Sequence, residues 1–333
     1  MIAYRKALGF VNLILLFARW NLWRIHPRRF LVNLDAVPIN RPIFLLGVQG
    51  GGLTLIARML RRHPDAVSVT GDHTFWAGPD EMHRVMELYL PPDLTELYTE
   101  IPEETNFRNR AWLYATDMLL PSYRKTADDT TPEMRRRFQR AIRLAIAIHS
   151  KDPQRSRFID KSQSFTVRLS LVNSLLGGHQ PHFILVTRNP YAMCYRAADV
   201  VTPLSQLELT LEERLQLAAQ HWANSFQCAL DDADEVDHFM SLRFEDLLQG
   251  PEKSLRTICS FAQLEYHPFM LPAPEHRFPL GSTGSTRGDH KWYPLRPGVN
   301  RLYLKHLEPW MMEIIDSRVG DLARRWSYSP GGP

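Results

Sequence analysis

The sequence predicts an α/β fold: a mostly parallel sheet covered by helices on both faces, in the manner of phosphate-loop nucleotide-binding proteins. Three observations carry this. From Pro42 onward short apolar runs alternate with helix-period segments. The first run stops on a glycine-rich loop that opens a helix, and a later one stops at Arg188-Asn189-Pro190. The 333 residues are 44% hydrophobic, enough to bury a full core in one large domain or two modest ones.

Two segments are expected, an amphipathic basic stretch over residues 1–40 and an α/β domain over 41–333 with a helical insert at about 76–150. Ala7 to Phe17, ALGFVNLILLF, lies between Arg5-Lys6 and a basic run of Arg19, Arg24, His26, Arg28 and Arg29. A spanning helix needs about 20 apolar residues, and no small-residue cleavage site follows this run. Two readings stay open. One is an interfacial helix through residues 1–30, with Trp20 and Trp23 at headgroup level and arginines on anionic lipid. The other is a helix docked on the domain.

Within the domain, Pro42 to Gly47 reads as a strand and Leu53 to Arg62 as the helix after the loop, with a second strand at Ala66 to Val69. Residues 76–130 are rich in Pro, Thr and acidic residues but carry Trp76, Phe107, Trp112, Tyr114 and Tyr123, which suits either a substrate lid or an ordinary insert. Met134, Phe138, Ala141, Ala145 and Ile148 recur at helical spacing, with Arg135, Arg136, Arg137, Arg140 and Arg143 on a solvated face. Phe165 to Leu176 is predicted helical and stopped by Gly177-Gly178. His182 to Thr187 is a buried-strand run whose polar end is where open α/β sheets place ligands. Thr210 with Glu213 forms a capping box ahead of a helix to about Leu230. Phe239 to Phe244 is a last strand, and Pro251 opens a helix.

Forty Lys and Arg against 36 Asp and Glu leave a net charge of +4, too mild to argue for nucleic acid. Cys194, Cys228 and Cys259 are odd in number and widely spaced, which suggests neither a disulfide framework nor a zinc site and favours a reducing, cytoplasmic setting. No metal is expected.

The chemistry concentrates in Gly47-Val48-Gln49-Gly50-Gly51-Gly52-Leu53-Thr54, which has the spacing of a Walker-type loop with Leu53 where the lysine belongs. The three glycines let backbone N–H groups turn inward, and the helix N-terminus adds partial positive charge, so a phosphate is favoured without a side-chain cation. Triphosphate hydrolysis is disfavoured, because that lysine is missing and no clear Walker B strand ending in Asp follows.

At these residues the sequence resembles the sulfotransferase superfamily, whose loop reads P-[KR]-S-G-T-T-L after a hydrophobic strand. The run Gln49 to Leu55 aligns with it. The similarity continues through Arg58 to Asp65, RMLRRHPD, then Asp160-Lys161-Ser162, then FILVTRNP at Phe183 to Pro190, and the stretch from Ser241 to Leu264. It spans roughly residues 40 to 328. The resemblance implies 3′-phosphoadenosine 5′-phosphosulfate as donor, its 5′-phosphosulfate on the loop through Thr54. Arg188 would grip the 3′-phosphate, so that its loss would weaken donor binding and leave stability nearly unchanged. It also implies a second donor-binding segment at Arg287 to Trp292, with Arg287 and Lys291 as its cations. Two positions depart from the family: Gly50 replaces the loop cation, and Arg196 replaces a serine eight residues after Arg188. Arg196 and Lys161 are the candidates to supply the missing charge.

The acceptor hydroxyl must lose a proton as sulfur is attacked in line. Gly71-Asp72-His73 stands where the family often carries a carboxylate base, so His73 is the expected base with Asp72 orienting it or sharing the task. The function expected is sulfuryl transfer to a hydroxyl of a glycan, lipid or other small acceptor. The rival is a sulfotransferase-like protein that binds nucleotide, lipid or partner without turnover, motivated by Gly50 and Leu53; a kinase is a third reading.

Overall fold

The computed structural model describes residues 26–70, 80–94, 112–200, 202, 204–272 and 295–331. The expected interfacial helix before residue 26, the pair Asp72 and His73, and the segment holding Arg287 and Lys291 lie outside the described residues.

Five parallel strands form one sheet: β1 Ile43–Leu46, β2 Ala66–Val67, β3 Arg157–Asp160, β4 His182–Thr187 and β5 Phe239–Arg243. Their order is β2-β3-β1-β4-β5, with Ile43 opposite Ile159 on one side and His182 on the other. All residues of β1, β3 and β4 are buried, as expected of strands covered on both faces.

Alternation along β1 divides the core. Ile43 and Leu45 enter one apolar cluster with helices α1 Leu53–Leu60, α6 Phe244–Gln249 and α7 Pro251–Phe261. Phe44 and Leu46 enter the other. That cluster holds α2 Pro132–His149, α3 Leu169–Leu175, α4 Pro190–Asp199, α5 Leu211–Asp231 and α8 Pro309–Arg325. Helix starts follow the sequence: Thr131 accepts from Met134 N ahead of α2, and Thr210 with Glu213 closes the capping box of α5. Arg135, Arg136 and Arg140 face solvent, whereas Arg137 and Arg143 reach back to the carbonyls of Leu90 and Val37.

One expected helix is broken in two. Instead of a continuous helix from Phe165, a 3₁₀ turn covers Gln163–Val167, and Arg168 leaves helical geometry at φ −140° before α3 begins. Tertiary bonds hold the break. The Thr166 hydroxyl accepts from Gly47 N at 2.7 Å and donates to Gly47 O at 3.1 Å, and Arg168 Nε donates to Tyr123 O at 2.7 Å. In the insert, Trp112, Tyr114 and Tyr123 are core residues; the Tyr114 hydroxyl donates to Gln163 O. The three cysteines are buried and unpaired. Among the described residues no helix is long and apolar enough to cross a membrane.

Candidate active site

The strand order sets the location. β1 leads toward β2 at one edge of the sheet and its neighbour β4 leads toward β5 at the other, so their connections part in opposite directions and a crevice opens beyond their carboxyl ends. The loop from Gly47 to Gly52 fills that position. Its base is tied on one side by Thr166, following β3, and its crown is met on the other by residues that follow β4.

Gly52 ends the loop at φ 104° and is the N-cap of α1, with no side chain capping the first-turn amides. Leu55 N donates to Gly52 O at 3.0 Å, but the amides of Leu53 and Thr54 have no acceptor within the helix and carry the positive end of its dipole. A Cβ at Gly52 would lie 2.2 Å from Phe244 Cδ2, so both conformation and space demand glycine. Leu53, in the lysine position, is buried in the cluster beneath β1. Gln49 Oε1 is buried without a hydrogen-bond partner, and Thr54 is partly exposed on the first turn of α1.

Arg188 leaves β4 and is buried against this loop. Nη1 donates to Gly50 O at 2.7 Å, Nε donates to Asn300 Oδ1 at 2.8 Å, and the guanidinium carbon stands 5.2 Å from the Phe244 ring centre. Glu245, at the start of α6, organises what surrounds it, accepting from Asn189 N, Asn300 Nδ2 and the Tyr328 hydroxyl. Burial and the adjacent Glu245 hold the Tyr328 phenol well above its ordinary range, which keeps it a donor. Arg188 is therefore anchored by Gly50 and Asn300, contacts that bear on stability, which the sequence expectation had left nearly independent of this residue. Arg196, on α4, lays its guanidinium against Gly50: a Cβ there would fall 2.2 Å from Nη1. Arg196 makes no ion pair with a described residue.

Lys161 follows β3 in a closed ionic cluster. Its Nζ pairs with Asp80 Oδ1 and Glu81 Oε1, both at 2.6 Å, and Arg61 Nη1 pairs with Asp80 Oδ2 at 2.9 Å. Burial would raise the Glu81 carboxyl, but Lys161 and the neighbouring His83 and Arg84 outweigh it and bring the group down to about 2. Burial likewise opposes the Lys161 charge, and the two carboxylates override it, raising its pKa. β3 does end on an acid, a feature missing from the sequence reading. Asp160 accepts from Met82 N at 2.7 Å and Ser162 N at 2.8 Å, and burial pushes it up to about 6. Both its oxygens are occupied by amides, which makes it a structural clamp. His83, fully buried and pushed down to about 3 by burial, is neutral. Asp80, Glu81 and His83 carried no sequence signal, because the pairing spans some 80 residues and follows no local period.

The structure thus brings Gln49 through Thr54, Arg188 and Arg196 together and sets Lys161 at the neighbouring strand end. Among the described residues no group of His, Cys, Asp or Glu could hold a metal ion.

The sequence model described as "Sulfotransferase family" matches residues 42–268. Among solved structures, a sulfotransferase from Mycobacterium avium is similar at 14% identity and a TM-score of 0.51, over 90% of this chain and 80% of that one. The sulfotransferase domain of the Synechococcus PCC 7002 olefin synthase is 21% identical with a TM-score of 0.49, over 89% of this chain and 97% of that domain. A mouse sulfotransferase complexed with PAP is 13% identical at 0.44, over 89% of this chain and 92% of that one. No curated protein matches. With the family's sequence model extending over about two thirds of its length and the parallel sheet in place, the chain belongs to the sulfotransferase family.

Proposed function

We propose that the protein transfers a sulfuryl group from 3′-phosphoadenosine 5′-phosphosulfate to a hydroxyl of a small molecule, glycan or lipid. The observation that carries this reading is the convergence of Arg188 and Arg196 on Gly50, at the crown of a glycine loop that opens a helix. Two guanidiniums meeting at one peptide, the second without a carboxylate partner among the described residues, suit a ligand that carries more than one anionic group. The residues fit the donor. Backbone amides of Gly50, Gly52, Leu53 and Thr54 would hold the 5′-phosphosulfate, with Gly51 N spent on Val48 O; Arg188 would hold the nucleotide's other phosphate, and Arg287 with Lys291 the same nucleotide from the late segment.

The bond changes follow from the donor. The acceptor oxygen forms the new O–S bond, the bond from sulfur to the 5′-phosphate oxygen breaks, and its electron pair leaves with 3′,5′-adenosine bisphosphate. The acceptor proton goes to His73, oriented by Asp72, or to Asp72 itself. Lys161 belongs to this reading as a charge that holds the 80–81 acidic pair beside the site and would give up one carboxylate to reach the transferring group.

A peripheral membrane contact through residues 1–30 is part of the proposal, alongside a cytoplasmic setting suited to three unpaired cysteines. Phe30 and Leu31 support the contact, being exposed at 71% and 81% beside Arg29. Deleting residues 1–30 should release the protein from anionic vesicles while donor binding persists; retention on vesicles would remove the contact.

Calorimetry with 3′,5′-adenosine bisphosphate tests the donor assignment. Saturable binding is the expected outcome, and no binding refutes the reading. Binding without transfer from the phosphosulfate to any hydroxyl acceptor would favour the non-catalytic rival that Gly50 and Leu53 motivate.

A further inference from the structure

The loop lacks a cation at Gly50, and the space beside Gly50 is where a cation from another element arrives. Gly50 sits at φ 82°. A Cβ built on it would lie 2.2 Å from Arg196 Nη1, 3.0 Å from Arg196 Cζ and 3.3 Å from Met193 Cε. Any larger residue at 50 must therefore evict the guanidinium. Glycine leaves room for a helix-borne arginine to reach the loop, and a lysine on the loop would occupy the same volume.

The state of Arg196 separates it from arginines that merely decorate helices. Arg136, Arg256 and Arg324 each pair with an acid three or four residues away. Asp199 stands three residues beyond Arg196, yet it accepts from the Tyr195 hydroxyl at 2.8 Å, and Arg196 makes no ion pair among the described residues. Ordering a long cationic side chain against a backbone without a counter-charge costs side-chain entropy and gains little, unless an anion completes the arrangement. Arg188 is held differently, through Asn300 and Gly50 O, so its direction is fixed by the protein.

Building on the donor reading above, we propose that Arg196 supplies from α4 the cation for the 5′-phosphosulfate, and that Gly50 and Arg196 act as one unit in which the loop has given its charge to the neighbouring helix. The charge lies against Gly50 at the crown of the loop, from where it would stabilise the leaving phosphate.

The test is calorimetry with three probes, adenosine 5′-monophosphate, adenosine 3′-monophosphate and 3′,5′-adenosine bisphosphate. The proteins are the full chain and its variants Arg196→Ser, Arg196→Lys, Gly50→Lys and the double Gly50→Lys/Arg196→Ser, each checked for a cooperative melt. Arg196→Ser should weaken the 5′-monophosphate and the bisphosphate about ten- to a hundredfold, the loss of one charge-assisted contact, and change the 3′-monophosphate less than about threefold. Arg196→Lys should stay within about tenfold of wild type. Gly50→Lys alone should bind poorly, because two cations compete for one volume. The double variant should bind the 5′-phosphate more tightly than either single Gly50→Lys or Arg196→Ser, though short of wild type because φ 82° strains a lysine there. Unchanged 5′-monophosphate affinity in Arg196→Ser overturns the proposal, as does a loss confined to the 3′-monophosphate, which would place Arg196 at the other phosphate. Failure of the wild type to bind any of the three probes would instead sink the donor reading, and this inference with it.

Discussion

Replacing Arg188 by alanine should do more than loosen a ligand. The side chain donates two hydrogen bonds as a cation, to Asn300 Oδ1 and Gly50 O, and stacks on Phe244. A hydrogen bond with a charged partner is worth about 1.5–3 kcal/mol. A partly desolvated cation–π contact adds about 1 kcal/mol. The low end of these values gives about 4 kcal/mol for the unliganded protein, before the gap left against Phe244 is considered. At about 2.1 cal/mol/K of unfolding entropy per residue, a chain of 333 residues loses roughly 1.5 °C per kcal/mol, so Tm should drop by about 6 °C. Donor binding should fall at least tenfold as well, because Gly50 loses the bond that fixes the crown of the loop. Thermal melts with and without 3′,5′-adenosine bisphosphate measure both effects: the apo melt shifts, and the ligand-induced rise shrinks. An apo Tm equal to the wild type's, with weakened binding, would return Arg188 to a pure phosphate grip and refute the anchoring.

Four further outcomes are expected. Gly52→Ala should cost more than about 2 kcal/mol and abolish bisphosphate binding, since φ 104° and the Phe244 ring both exclude a methyl; denaturant titration reads the first effect and calorimetry the second. Lys161→Met should destabilise the fold by about 3 kcal/mol in the same titration, because it removes the cation paired with buried Glu81 and leaves Asp80 with Arg61 alone. His73→Ala should lower turnover about 10²–10⁴-fold with donor affinity within a few fold, and Asp72→Asn should cost less; the reverse order would transfer the base role to Asp72. Stability should fall on acidification below about pH 6.5, because burial pushes His83 and His221 down to about 3: the unfolded chain takes up their protons first, costing about 2 kcal/mol for each at pH 5. Asp160, raised to about 6, runs the other way and adds about 1 kcal/mol as it protonates, so His83→Gln should visibly flatten the acid limb of Tm against pH.

Much of the fold was legible because it is local. The apolar run 43–46, the glycines after it, the proline and capping-box helix starts and the polar end of β4 each announce themselves within a dozen residues. The loop and Arg188 could therefore be named from sequence, and their juxtaposition follows from the parallel pairing of β1 with β4. What was not legible depends on contacts distant along the chain. The break at Arg168 is made by Thr166 bonding to Gly47 and by Arg168 bonding to Tyr123, which helical periodicity cannot report. The second role of Arg188 comes from Asn300, 112 residues away. The ionic cluster at Lys161 pairs strand-end charge with acids from the insert, and although Asp160-Lys161-Ser162 stood out as a motif, nothing local showed that Asp160 closes a strand. The aromatic residues of the insert suited a lid equally well until Trp112, Tyr114 and Tyr123 were found in the core.

The central claim is that a nucleotide phosphate seats on the loop between Gly47 and Thr54, and amide hydrogen exchange with 3′,5′-adenosine bisphosphate tests it most directly. Protection should appear in peptides covering 47–56 and 188–196, with little change at the opposite, amino-terminal end of the strands around Arg41, Arg157 and Gln263. Bisphosphate binding that leaves the loop peptides unprotected, or that protects that opposite end of the strands instead, would contradict the account.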